Sequence, residues 1–215
     1  MTYRVYNGYC GLGGNAKNWT DCEVTAVDNN PEVCEVYKSI RPNDTVIIGD
    51  AHQYLLDHYD EFDFCWVSPP CPTHSRMQKA TRHDLRRYPN MMLYQELIWL
   101  QHFFKGKYLV ENVIPYYEPL IKPTQKVGRH VFWSNFDFQA VDVERPPGFI
   151  NQSNLAAKEI MMDWLGIHYE SSIYLNGNHC PVQALRNCCH PLIGEQILNA
   201  ARNIKPPEQQ FALSF

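Results

Sequence analysis

Apolar residues in the first half of the chain fall in short blocks of strand length, rich in β-branched and aromatic types. The blocks are "YRVYNGY" (3–9), "CEVTAVD" (22–28), "DTVIIGD" (44–50), "FDFCWV" (62–67) and "KYLVENV" (107–113). Two segments between them carry the helical period instead. "PEVCEVYKSI" (31–40) predicts a helix opened by Pro31, and "MMLYQELIWLQHFF" (91–104) a long amphipathic helix. Strands alternating with helices predict an α/β fold, a mainly parallel sheet with helices on both faces. After Val113 the pattern changes. "RHVFWSNFDFQAV" (129–141) predicts two strands joined tightly around Ser134-Asn135. "SNLAAKEIMMDWLG" (153–166) predicts a helix capped by Ser153 or Asn154 and stopped by Gly166, and "PLIGEQILNAAR" (191–202) a last helix. The expected organisation is a single domain over 1–205 and a loose tail over 206–215.

Composition narrows the class. A chain of 215 residues, 45% hydrophobic and 20% charged, suits one soluble globular domain with a substantial core. No apolar run has the length of a membrane span, and "MTYRVYNGYC" has no signal-peptide pattern. Eight cysteines without framework spacing are expected to be reduced thiols, so the expected location is the cytoplasm. The group His179, Cys180, Cys188, Cys189 and His190 lacks a C-x-x-C pair, and no metal site is expected there.

Charge changes the picture locally. The net charge is −4, yet "THSRMQKATRHDLRRYPN" (73–90) carries Arg76, Lys79, Arg82, Arg86 and Arg87 against Asp84, 5 − 1 = +4. Such a segment neutralises phosphates, and Ser75 opens it. The competing reading is a solvated helix face.

Candidate chemistry gathers at strand ends. Gly11, Gly13 and Gly14 follow the first block, where glycine permits a tight turn and close approach to a ligand. Asp28 ends the second block, placed to accept from ribose hydroxyls, and Asp50 the third, placed to accept from an adenine amino group. For each Asp the plain alternative is a helix cap or a solvated loop. No phosphate-binding lysine motif is present, so S-adenosylmethionine fits this adenosine site better than NAD or ATP. In "SPPCP", Pro69, Pro70 and Pro72 end a strand and stiffen a loop that presents Cys71, which is otherwise a small apolar filler.

Taken together, these motifs resemble the DNA cytosine-C5 methyltransferases. "YNGYCGLGG" resembles the family's first motif, with Tyr9 for the usual Phe and Asn7 for the usual Asp. "SPPCPTHSR" resembles its Pro-Cys nucleophile motif, "YLVENV" its Glu-Asn-Val motif, "VGRHVFWSNF" its Arg-rich strand and "LRNCCHPLIGEQI" its last motif. The order is kept from about Arg4 to Ala201. The chain departs in reading Cys-Pro-Thr-His-Ser where most members have Cys-Gln-x-Phe-Ser. Either Arg129 or His130 fills the family's Arg position. A short insert, 137–183, stands where the family has a large target-recognition region, as in a minimal, phage-like member.

The resemblance implies a Rossmann-like class I S-adenosylmethionine-dependent methyltransferase fold and methyl transfer to C5 of cytosine in DNA. Cys71 is then the nucleophile at C6, Glu111 the acid at N3, and Arg129 a holder of the base oxygen or of Cys71, with Asn112 bracing the loop. The implied cofactor contacts are Tyr9, Cys10, Gly11, Leu12 and Gly13, then Asp28, Asn29, Asp50 and Ala51, then Pro69, Asn187 and Cys188. The target base must be flipped out of the duplex or lie in a single strand. Sequence specificity is expected to be relaxed or short unless a second copy or another protein supplies the reader. Two alternatives stand beside this: the same chemistry on tRNA, since a related branch of the family methylates tRNA, and a non-catalytic nucleic-acid-binding protein on the same fold.

Overall fold

The five apolar blocks pair as parallel strands in the computed structural model, which describes residues 2–80, 87–171, 173, 175 and 180–204. They are β1 (Tyr3–Gly8), β2 (Cys22–Asp28), β3 (Thr45–Ile48), β4 (Phe64–Val67) and β5 (Lys107–Val113). Two more, β6 (Gln125–Val127) and β7 (His130–Ser134), complete a sheet of order β3-β2-β1-β4-β5-β7-β6. Strand β7 runs antiparallel to both its neighbours. The chain moves outward from β1 to β3, then returns to the other side of β1 as β4. Strand order therefore reverses between β1 and β4, and in open α/β sheets a crevice opens at the carboxyl ends beside such a reversal.

Helices α1 (Pro31–Ile40), α2 (Ala51–His58) and α3 (Met92–Phe103) make crossovers, and α4 (Leu155–Leu165), α5 (Gln183–Arg186) and α6 (Pro191–Ala201) follow the sheet. Asn30 caps α1, its side chain accepting from Glu32 N at 3.0 Å and Val33 N at 3.2 Å. Of the two expected caps for α4, Asn154 is the one used, accepting from Ala157 N at 2.9 Å, and Gly166 ends the helix in the left-handed region. One face of the sheet buries Trp19, Phe64, Trp66 and Phe132 with Ile193 and Ile197 of α6. The other buries Tyr6 and Val67 with Leu55 of α2 and Leu97 and Leu100 of α3. The insert does not stand apart: Met161, Leu165 and Ile167 pack with Leu12, Val33 and Val36.

Several expectations are corrected. The tight hairpin turn lies at Gly128-Arg129, not at Ser134-Asn135, because Gly128 (φ +56°) supplies the left-handed residue and the unforeseen "QKV" forms the partner strand. Helix α2 was not foreseen, and β3 stops at Ile48 because Gly49 and Asp50 turn the chain into it. The tail 206–215 lies outside the described residues.

Helix α6 reaches the first loop through Gly194. A Cβ there would collide with the Asn15 carbonyl, and the Gly194 carbonyl accepts from Trp19 Nε1 at 3.0 Å. Backbone meets backbone, so neither side yields cheaply. Gly194→Ala is expected to cost at least about 2 kcal/mol, lowering the melting temperature by about 4–8 °C in calorimetry. An unchanged melting temperature would show that α6 shifts freely.

Candidate active site

A cavity of ≈ 400 Å³ opens at the strand carboxyl ends. Its wall is built from the loops after β1, β2, β3 and β4, the carboxyl end of β5, the turn into β7 and the residues around α5. A larger hollow of ≈ 630 Å³ lies at the opposite ends of the strands, lined by Arg4, Glu23, Arg41 and Asp44 among others. Arg41 is already committed there to Asp44 (2.9 Å between Nη2 and Oδ1), and neither glycine loop nor Cys71 reaches it. The site is therefore the smaller cavity.

The loop after β1 forms one end of the cavity. Gly11 N donates to Asp28 Oδ2 at 3.1 Å, and Asn30 N donates to Oδ1 at 3.0 Å. Burial pushes the Asp28 carboxyl upward, and these backbone donors oppose it. Gly11 has φ +53°, and a Cβ built on it meets no atom within 4 Å, so the turn opens onto free space. Tyr9 adopts φ +56° without being glycine, and its hydroxyl donates to Glu96 Oε1 at 2.8 Å. His52 Nδ1 lies 3.0 Å from that same oxygen.

Tyr9, Cys10, Gly11, Leu12, Asp28, Asn29, Asp50, Ala51, Pro69, Asn187 and Cys188 all line the cavity. Gly13 does not. A Cβ there would meet the Tyr37 ring at 2.7 Å, so this glycine serves core packing, a correction to its expected place in the wall. Asp50 also takes the plain alternative, capping α2 by accepting from Gln53 N at 3.0 Å.

The other end holds the thiol. Asn112 Nδ2 donates to the Pro69 carbonyl at 2.9 Å, and the Cys71 carbonyl accepts from His74 N at 2.9 Å and Ser75 N at 3.1 Å. Burial first, and the Glu111 carboxylate second, push the Cys71 thiol up to about 11, against the opposing pull of Arg129. Glu111 is buried inside β5, not at its end, and burial raises its carboxyl. The Ser68 hydroxyl and the Arg129 charge oppose that rise, and Ser68 is itself held by Trp66 Nε1 at 3.0 Å.

His130 Nε2 stands 3.5 Å from Glu111 Oε1, but burial drives its pKa well down, so it is a neutral neighbour. Arg129 is the cation of the pair. Its guanidinium donates to the Arg186 carbonyl and lies over the Phe149 ring at 5.2 Å, which fixes it between α5 and the insert.

Arg76, Lys79 and Arg87 are exposed beside the thiol loop, and Ser75 bridges to Pro115. Arg82 and Arg86 lie outside the described residues, as does His179. Among the described residues no group of His, Cys, Asp and Glu is placed to hold a metal, and no helix is long and apolar enough to cross a membrane. His190 is occupied as the cap of α6, accepting from Leu192 N at 3.2 Å. No motif announces Ser68, Glu96 or His52 as a site residue. Glu96 looks like a solvated position on an amphipathic helix, and only the fold turns it toward Tyr9.

The chemistry of the donor set tests what the cavity suits. At the glycine-loop end it presents the Asp28 and Asp50 side chains and no lysine or arginine, which disfavours a phosphate and suits a nucleoside. S-adenosylmethionine, an adenosine without phosphate, fits that end, and the thiol stands at the other.

Residues 3–120 match the family model described as C-5 cytosine-specific DNA methylase. No curated protein matches the chain in sequence. Among solved structures, DNMT2 of Spodoptera frugiperda is 27% identical over 52% of this chain and 35% of its own, with TM-score 0.36. A putative DNA modification methyltransferase encoded within an E. coli prophage is 17% identical over 54% and 33%, with TM-score 0.39. The chain thus spans about a third of the length of either. The Entamoeba histolytica methyltransferase EhMeth is 11% identical over 96% of this chain and 100% of its own, with TM-score 0.51, a likeness of fold.

Proposed function

The chain belongs to the C-5 cytosine-specific DNA methylase family, and from that premise we propose that it transfers a methyl group from S-adenosylmethionine to C5 of cytosine in DNA through a covalent adduct at Cys71. One observation carries the reading: a buried carboxyl, Glu111, and a thiol, Cys71, face one cavity whose far end is a glycine loop closed by Asp28.

S-adenosylmethionine, which Tyr9, Gly11, Asp28, Asp50 and Asn187 would hold, would supply an electrophilic methyl group and leave as the neutral thioether S-adenosylhomocysteine. Cytosine C5 is a poor nucleophile. Cys71 gives its thiol proton to solvent, and the thiolate adds to C6, forming the S–C6 bond and breaking the C5=C6 π bond, while Glu111 gives its proton to N3. C5 then carries the electron pair that takes the methyl group. Loss of the C5 proton to solvent, return of the N3 proton to Glu111 and expulsion of the Cys71 thiolate restore the ring. Arg129 stabilises the thiolate in this scheme, and Asn112 sets the height of the loop.

Binding is expected to depend on Asp28 above the other wall residues. Losing a charged hydrogen-bond acceptor costs roughly 1.5–3 kcal/mol, so Asp28→Ala is expected to weaken S-adenosylmethionine binding by at least about tenfold in calorimetry. Unchanged affinity would remove Asp28 from the ribose contact.

Recognition is proposed to be relaxed. The insert spends α4 on packing against Leu12 and Val33, while each good base contact gives roughly 1–3 kcal/mol of discrimination. DNA from cells expressing the chain, mapped at base resolution, is expected to carry 5-methylcytosine in a context of about two or three bases at most. Unmodified DNA would overturn the function, and a longer defined site would overturn the relaxed recognition.

A further inference from the structure

His74 is fully buried in the loop that carries the thiol, where the family resemblance has an apolar ring. Its bonds run in one direction. Leu120 N can only donate, and it donates to Tyr94 Oη at 3.1 Å. Tyr94 Oη then donates to Tyr117 Oη at 3.1 Å. The Tyr117 hydroxyl is left to donate to His74 Nδ1, 2.6 Å away. With the bonds running this way Nδ1 accepts, and the ring proton sits on Nε2, which is buried without a hydrogen-bond partner. Tyr116 N donates to the His74 carbonyl at 3.0 Å, and Asn90 N to Thr73 Oγ1 at 2.9 Å. The ring thus ties the Cys71 loop to α3 and to the segment leaving β5, the strand that carries Glu111.

We propose that His74 is a positioning residue: through Tyr117 and Tyr94 it fixes Cys71 relative to Glu111. This rests on the reading of Cys71 as the nucleophile. The groups placed against the ring are neutral, namely Tyr117 after β5, Tyr94 of α3 behind it and the backbone of Asn90. Burial lowers the pKa of the ring. Protonating Nδ1 would also reverse the chain and strand the Tyr94 proton, because Leu120 N cannot become an acceptor. The neutral ring is therefore the holding form.

The test compares substitutions whose order differs for packing and for hydrogen bonding. His74→Phe fills the space without an acceptor; His74→Asn packs poorly but keeps an acceptor near Nδ1. Adduct formation on DNA containing 5-fluorocytosine is expected to slow by at least about tenfold in His74→Phe, with His74→Asn faster than His74→Phe. Tyr117→Phe is expected to slow it as well, and cofactor affinity is expected to hold in all three. Nitrogen-15 NMR of the wild-type imidazole is expected to show a bare Nδ1 and a protonated Nε2. A His74→Phe chain as fast as wild type, an order reversed to favour Phe, or a protonated Nδ1 at neutral pH would overturn the proposal. A wild-type chain that forms no adduct at Cys71 would overturn the underlying reading and this one with it.

Discussion

Cys71→Ala is expected to form no covalent complex with DNA containing 5-fluorocytosine and to lose methyl transfer by at least about 10⁴-fold, about 5.5 kcal/mol of barrier. Fluorine at C5 cannot leave as a proton does, so the wild-type adduct is trapped before elimination. The other cysteines offer no substitute. Cys65 is buried within β4, and Cys10, Cys188 and Cys189, although in the cavity wall, are buried thiols pushed strongly upward. Cys71 stands in the cavity wall on a loop that Asn112 holds by its Pro69 carbonyl. An adduct that persists in Cys71→Ala, mapped by peptide mass spectrometry, would reassign the nucleophile.

Glu111→Gln is expected to produce two changes of opposite sense. Methyl transfer falls by about 10²–10⁴-fold, because a carboxamide cannot give a proton to N3. The Cys71 thiol becomes more acidic, because the substitution removes the carboxylate that is the second cause, after burial, of its rise to about 11. The signs follow from charge. A neighbouring carboxylate disfavours a thiolate, so its removal moves thiolate formation to lower pH. Burial raises the Glu111 carboxyl itself, so the acid form persists to higher pH than in an exposed carboxyl and is lost as pH rises through that value. The alkylation rate of Cys71 against pH, read by peptide mass spectrometry, checks the second change. A profile that does not move in Glu111→Gln would separate the two groups electrostatically and remove the reason for pairing them.

Most of the fold could be read from periodicity because the β1–β5 strands are apolar blocks bounded by Gly, Asp and Pro. The helices α1, α4 and α6 carry their own punctuation in Pro31, Gly166 and Pro191. The failures have local causes. "QKV" is too short and polar to read as a strand, and only the left-handed Gly128 reveals the hairpin. Helix α2, "AHQYLLDH", is short and buries only Ala51 and Leu55, so Asp50 reads as a strand end when it is the cap of that helix. In the site, the residues announced by motif lie in the wall of one cavity, apart from Gly13, which faces Tyr37. Partners brought by tertiary folding were invisible. Tyr9 meets Glu96 across 87 positions of sequence, and His74 meets Tyr117 across 43. Neither separation follows a period that the sequence displays.

The central claim, methyl transfer to C5 of cytosine in DNA, is tested most directly by the chemical identity and carrier of the methylated base. Purified chain is incubated with methyl-labelled S-adenosylmethionine and, in separate reactions, duplex DNA, single-stranded DNA and tRNA, and each is digested to nucleosides for mass spectrometry. The account predicts label in 5-methyl-2′-deoxycytidine from DNA, absent with Cys71→Ala. Label confined to 5-methylcytidine from tRNA, label on an exocyclic nitrogen, or no transfer to any acceptor would contradict it.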